Sequence, residues 1–203
     1  MYGFLAGREV GLFGYQYLAQ DIAAGGLVVT DRCGRARWRR DGPDLPTPHV
    51  LAHHDDLISI GKGSVANSSR LERHSKDGSK LASMQLGPGY PSRISVGSDG
   101  TLYVLMCGTV PEGQQDDDGL ELVALGPELV QKWRMPFPNS FCRGSSLGTL
   151  GPDGVYYFVR GLDAVAPNME LVAIRTQSPT TAKTSWPDTW GNAAGNRWVL
   201  TAQ

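Results

Sequence analysis

The sequence is short of charge of either sign. Its 203 residues carry 19 basic and 20 acidic side chains, a formal net charge of −1. Proteins that grip nucleic acid or an anionic membrane electrostatically need a basic excess to displace counterions, so neither role is indicated. Long hydrophobic runs are also missing: none approaches the roughly 18 residues of a membrane-spanning helix. Cysteine is scarce, and Cys33, Cys107 and Cys142 are widely separated, odd in number and free of any C-x-x-C pair. That arrangement suggests neither a zinc site nor a disulfide framework, although one bridge can form with one thiol left over. Residues 1–8 have no basic region followed by an apolar one, so no secretory leader reads there. They suit an internal stretch of a longer protein.

What is abundant is turn chemistry. Gly at 26 and Pro at 13, with 40% hydrophobic residues, fit many short strands joined by tight turns. Four segments share one pattern of turn, strand, strand, turn and strand. In the clearest, the third, Ser98-Asp99-Gly100 is followed by Thr101-Leu102-Tyr103-Val104-Leu105-Met106. After an insertion at 111–118 come Leu120-Glu121-Leu122-Val123-Ala124-Leu125, Gly126-Pro127, and a strand through Trp133. The fourth copy runs from Gly151-Pro152-Asp153-Gly154 through Val155-Tyr156-Tyr157-Phe158-Val159 to Glu170-Leu171-Val172-Ala173-Ile174. The second is more polar, with Leu57-Ile58-Ser59-Ile60, Arg70-Leu71-Glu72-Arg73-His74, Lys76-Asp77-Gly78 and Lys80-Leu81-Ala82. The first has Leu27-Val28-Val29-Thr30 and a strand through Trp38. Asp-Gly supplies the positive φ of a tight hairpin, and apolar residues at period two mark strands. With Trp38, Ala82, Trp133 and Ala173 as equivalent markers, the spacings are 44, 51 and 40, the longest containing the insertion, a period near 40. That is the length of a propeller blade.

These residues resemble the pyrroloquinoline-quinone-like, WD-like β-propeller repeats of bacteria. The resemblance rests on Gly151-Pro152-Asp153-Gly154-Val155-Tyr156, Leu122-Val123-Ala124-Leu125, Asp31-Arg32-Cys33-Gly34-Arg35-Ala36-Arg37-Trp38 and Lys132-Trp133-Arg134. It spans about residues 10–174. It implies an all-β propeller-type array of about four blades, an incomplete or open arc, and residence outside the cytoplasm. The expected blades are approximately 8–45, 46–90, 91–140 and 141–178. Residues 179–203, with Trp186, Trp190 and Trp198, are expected to form a capping segment. An open arc exposes sheet edges and an apolar face, which favours self-association.

Candidate chemistry is thin. Quinone-dependent dehydrogenases of the resembling family use adjacent cysteines, a calcium ion and a catalytic Asp, and nothing here matches them. Trp38 and Trp133 read as packing between blades. Gln114-Gln115-Asp116-Asp117-Asp118-Gly119 has Asp116, Asp118 and Gly119 in calcium-loop positions, but Gln114 and Leu125 stand where carboxylates are required. His49, His53, His54, Asp55 and Asp56 form the densest cluster of metal-ligand types, yet neighbouring His on a strand point to opposite faces. Arg35, Arg37 and Arg39 alternate with Ala36 and Trp38, as an outward strand face does, and Arg32 and Arg40 extend the basic stripe. Gly144-Ser145-Ser146-Leu147-Gly148 lacks the strand-turn-helix setting of an esterase nucleophile. The sequence therefore assigns no catalytic, cofactor-binding or metal-binding residue and no cofactor. It points to a non-enzymatic repeat scaffold that binds protein, with no nucleic-acid partner and no transmembrane segment. The alternatives are a degenerate quinoprotein-like dehydrogenase fragment and a propeller that binds a small ligand or carbohydrate.

Overall fold

The architecture is all-β in the computed structural model, which describes residues 2–6, 10–19, 22–30, 35–42, 47–51, 56–64, 68–75, 77–108, 119–141, 148–162 and 168–182. Among the described residues, fifteen strands form four antiparallel sheets, each made of consecutive strands. The first sheet is β1 (Tyr2–Ala6), β2 (Val10–Ala19), β3 (Ile22–Thr30) and β4 (Ala36–Gly42). The second is β5 (Thr47–Leu51), β6 (Leu57–Lys62), β7 (Ser68–His74) and β8 (Lys80–Pro88). The third is β9 (Tyr90–Val96), β10 (Leu102–Cys107), β11 (Leu120–Leu125) and β12 (Gln131–Phe137). The fourth has three described strands, β13 (Gly148–Leu150), β14 (Val155–Gly161) and β15 (Met169–Arg175). Among the described residues no sheet closes on itself, and no helix is long and apolar enough to cross a membrane.

The sheets stack face to face in chain order. β5 packs on β2 and β3, β9 on β5 and β7, and β13 on β9. Register explains how the third sheet serves two neighbours. Leu102 lies opposite Leu125 and Val96, and Val104 opposite Val123 and Ile94. These six share one apolar cluster with Leu57, Ile58, Leu71 and Leu86 of the second sheet. Tyr103 lies opposite Ala124, and Leu105 opposite Leu122, and these residues cluster instead with Leu150, Tyr156 and Phe158 of the fourth sheet. Side chains alternate faces along a strand, so a strand covered on both sides is buried at every position. β10 and β11 are.

One hairpin turn recurs along one rim. In residues 75–79, 97–101, 126–130 and 151–155 the first N–H donates to the fifth carbonyl and the fourth N–H to the first carbonyl. The fourth residue takes the left-handed conformation: Gly78 at φ 88°, Gly100 at 79°, Leu129 at 59° and Gly154 at 74°. Glycine suits this place for want of a Cβ, and Leu129 holds it with its side chain buried in the core. At three of the turns an Asp in the third place accepts the fifth residue's N–H at 3.1 Å: Asp77 from Ser79, Asp99 from Thr101 and Asp153 from Val155. The rims of adjacent sheets coincide. Trp38 lies so close to Gly78 that a Cβ there would come within 2.7 Å of its ring. Arg73 donates to the carbonyl of Pro127 at 2.5 Å, from the second sheet to a turn of the third.

Beyond β15 the chain folds back onto the third sheet. Ser98 N–H donates to Thr180 O at 2.9 Å, Ala182 N–H donates to Val96 O at 2.7 Å, and Gly97 bridges Thr181. The remainder of the expected capping segment, residues 183–203, lies outside the described residues. One sequence equivalence needs correction. Trp38, Ala82 and Trp133 lie in fourth strands, opposite Val29, Arg73 and Ala124. Ala173 lies in a third strand, opposite Tyr157, and so corresponds to Ala124, opposite Tyr103. The phase slipped because alanine is common on both strands and the fourth sheet shows no fourth strand among the described residues.

Candidate functional site

The fourth sheet ends the described array, and its far face is the surface that distinguishes it. Tyr156, Phe158, Val172 and Ile174 pack toward the third sheet. Alternation then sends Tyr157, Val159, Leu171, Ala173 and Met169 the other way, each facing its cross-strand partner: Tyr157 with Ala173, Val159 with Leu171, Gly161 with Met169. By the correspondence of Ala124 with Ala173, Leu171 occupies the place of Leu122 and Met169 that of Leu120. Leu122 and Leu120 are 0% and 1% exposed beneath the fourth sheet, whereas Leu171 and Met169 are 68% and 67% exposed. The outer edge of β15 has no partner strand among the described residues. An apolar face beside an open edge is a surface on which a further strand or sheet can be laid.

A second constellation lies buried in the second sheet. Ser59 and Glu72 are directly opposite on β6 and β7, and His74 lies opposite Leu57. His74 Nε2 stands 3.2 Å from both Ser59 Oγ and Glu72 Oε2. Glu72 Oε1 also pairs with Arg70 Nε at 3.0 Å and with Lys80 Nζ at 3.8 Å. The residue types invite comparison with a Ser-His-acid triad, but the geometry does not support one. A relay divides its two partners between the two imidazole nitrogens, and here both sit on Nε2. Ser59 and His74 are also fully buried, so no substrate reaches them. The Trp38 ring lies 6.3 Å from the imidazole. The group is a polar core network between the first two sheets, where sheets three and four place Val123 with Leu125 and Val172 with Ile174.

At the turn rim, Asp99 organises a junction between the third sheet and the returning chain. Its carboxylate accepts the hydroxyl of Ser178 and that of Thr101 at 2.7 Å, and Lys132 Nζ stands 3.5 Å away. Ser178, buried, also shares a hydrogen bond of 2.9 Å with Tyr103 OH. Partial burial works against the charge of Asp99, but the Ser178 and Thr101 hydroxyls, the Thr101 N–H and the Lys132 ammonium outweigh it. Its carboxyl is held below the usual range. Asp153 is likewise held low, chiefly by the Tyr157 hydroxyl at 2.7 Å. Glu121 goes the other way: burial pushes it up, against the pull of Arg134 at 3.2 Å.

The residues singled out in the sequence are scattered. Asp56 is engaged by Arg73, whose Nη2 and Nε stand 2.6 and 2.9 Å from its Oδ2. His49 lies on β5, while His53, His54, Asp55, Asp116, Asp118, Ser145 and Ser146 lie outside the described residues. Among the described residues no group of three or more His, Cys, Asp or Glu is placed to hold a metal ion. Arg35, Arg37 and Arg39 are exposed, and Trp38 between them is half-buried against the core. Trp133 packs on the cluster shared by sheets three and four, 6.0 Å from Tyr103. The Ser59–Glu72–His74 network was missed in the sequence. Its signal is Arg70-x-Glu72-x-His74, polar residues at period two where the later copies read Glu121-x-Val123-x-Leu125 and Glu170-x-Val172-x-Ile174. No protein-family model matches the chain, and no curated protein matches it.

Proposed function

We propose that the chain is a non-enzymatic propeller-type repeat scaffold that binds protein through the far face and open edge of the fourth sheet. The supporting observation is the pair of contrasts Leu122 with Leu171 and Leu120 with Met169: positions buried between sheets three and four recur uncovered on sheet four. A face of that composition suits another sheet of the same kind. The partner is a second copy of this chain, docking its first sheet there as successive sheets dock within one chain. The composition of β2 agrees, because Leu12, Phe13, Tyr15, Tyr17 and Leu18 make it apolar at neighbouring positions, as β10 is where both its faces are covered. Blades over 1–178 and residence outside the cytoplasm belong to the same reading.

Light scattering on the full chain tests it. The expected result is a mass that rises with concentration above 21.9 kDa, returning to one chain in the Met169→Lys, Leu171→Lys double variant with its far-ultraviolet dichroism unchanged. A wild-type mass of one chain at every concentration overturns the self-docking. Reproducible dye-linked alcohol oxidation on added quinone overturns the non-enzymatic reading.

A further inference from the structure

One row of residues at the joint between sheets three and four recurs on the far face of the fourth sheet. On the third sheet, Ser95, Tyr103, Ala124 and Trp133 stand side by side across β9, β10, β11 and β12. Tyr103 and Ala124 belong to the cluster with Leu150, Tyr156 and Phe158, and Trp133 packs on it. Cross-strand partners share a face, so the whole row faces the fourth sheet. On the fourth sheet, Thr149, Tyr157 and Ala173 make the same row across β13, β14 and β15. This row faces the other way, to the side that no described sheet covers. Beside it Val159 pairs with Leu171 as Leu105 does with Leu122.

The first hydroxyl of the row joins one sheet to the next. Leu150, which ends β13, donates its N–H to Ser95 Oγ at 3.3 Å, and Ser95 is fully buried. The donor is free to do so because the Gly151–Val155 hydrogen bond sets the ladder. Alternation along an antiparallel pair then points the Leu150 N–H away from β14. Thr149 stands where Ser95 does. Its Oγ1 is shielded from solvent and has no hydrogen-bond partner among the described residues. The second hydroxyl of the row is already answered: Tyr157 OH donates to Asp153 at 2.7 Å, whereas Tyr103 shares its hydrogen bond with Ser178 of the returning chain.

We infer that Thr149 sets the register of the self-docking proposed above, on which this inference rests. Its hydroxyl accepts a backbone N–H from the innermost strand of the incoming copy's first sheet, as Ser95 accepts that of Leu150. Within the chain β13 packs on β9, so β1 of the second copy lies on β13. The second copy fits because its first sheet has the same consecutive strand order as the sheets already stacked. Thr149 as a whole is only partly buried, so a turn about χ1 between staggered positions brings its oxygen to the donor. Leu171 and Met169 supply adhesion without direction. The hydroxyl supplies direction, since an incoming sheet shifted by one residue leaves it covered and unanswered. The contact is head to tail, one copy's fourth sheet against the next copy's first.

Sedimentation equilibrium on the full chain tests Thr149 separately from the docking. Thr149→Val keeps the side-chain shape and removes the acceptor, whereas Thr149→Ser keeps the acceptor. The dissociation constant is expected to rise roughly 3–10-fold in Thr149→Val and to return toward that of the wild type in Thr149→Ser. The dilute single chain carrying Thr149→Val is expected to melt no lower than the wild type, because there the hydroxyl holds nothing. An associating wild type whose constant is unchanged or tighter in Thr149→Val overturns this inference and leaves the docking standing. Melting of dilute Thr149→Val below the wild type places the hydroxyl in the chain's own fold and likewise overturns it. A wild type that stays one chain at every concentration removes the docking and this inference together.

Discussion

The third and fourth sheets are built from one pattern, yet half of that pattern works differently in each. Both begin with an Asp-Gly hairpin, run into a strand of alternating aromatic and aliphatic residues, and return through Glu-Leu-Val-Ala-Leu or Glu-Leu-Val-Ala-Ile. In the third sheet both faces are covered, and Leu122 is sealed between Leu105 and the fourth sheet. In the fourth, the same register leaves Leu171 on a face without a described neighbour. The Asp residues differ in parallel. Asp99 is tied to Ser178, Thr101 and Lys132, whereas Asp153 is answered by Tyr157 and the Val155 N–H at the surface. Equal local sequence therefore does not confer equal energetic weight. The weight comes from the sheet that stacks on top.

Truncating the two leucines gives the sharpest break. Leu122→Ala is expected to cost about 2–5 kcal/mol, because it removes apolar burial and leaves a cavity. Leu171→Ala is expected to stay within about 0.5 kcal/mol in the dilute single chain. Urea unfolding of both measures the difference, and equal losses would mean that the far face is covered within the chain. Next comes Asp99→Asn, expected to cost about 1 kcal/mol through weakened charge-assisted hydrogen bonds, with a smaller loss for Asp153→Asn. The acid limb carries the sign. A carboxyl held low in the fold gives stability that is complete above its unfolded pKa of about 3.9 and is lost as pH falls through the folded value. Asp99→Asn should therefore flatten the stability profile below about pH 4. The smallest effect is Tyr157→Phe, which removes the hydroxyl that contributes most to holding Asp153 low. Its carboxyl carbon resonance should titrate closer to the ordinary range while that of Asp99 stays put.

Much of this fold was legible in the sequence because its turns use residues with few substitutes. A left-handed fourth position strongly favours glycine, and an Asp that caps the fifth residue's N–H is the natural companion, so Asp77-Gly78, Asp99-Gly100 and Asp153-Gly154 announced themselves. The apolar residues of β10 and β11 marked both as strands, but a period-two reading understated their burial, since both faces are covered. The fourth copy was misphased because Ala173 carries no shape information, unlike the tryptophans it was matched with. The polar network was hidden for a different reason. Ser59 and Glu72 are thirteen positions apart and meet only through the β6–β7 register, which a sequence pattern does not print. The apolar end face was visible as residues but not as a surface, since Leu171 reads like Leu122 until the neighbouring sheet is placed.

Stacked repeats ordinarily hold one another only by nearest-neighbour contact, so each can let go of the next in turn. The Ser98–Thr180 and Val96–Ala182 hydrogen bonds cut across that order by pinning the segment beyond β15 to the hairpin of the preceding sheet. The third sheet cannot melt without releasing this strap, nor the fourth detach without pulling on it. These two sheets are thereby fused into one cooperative unit.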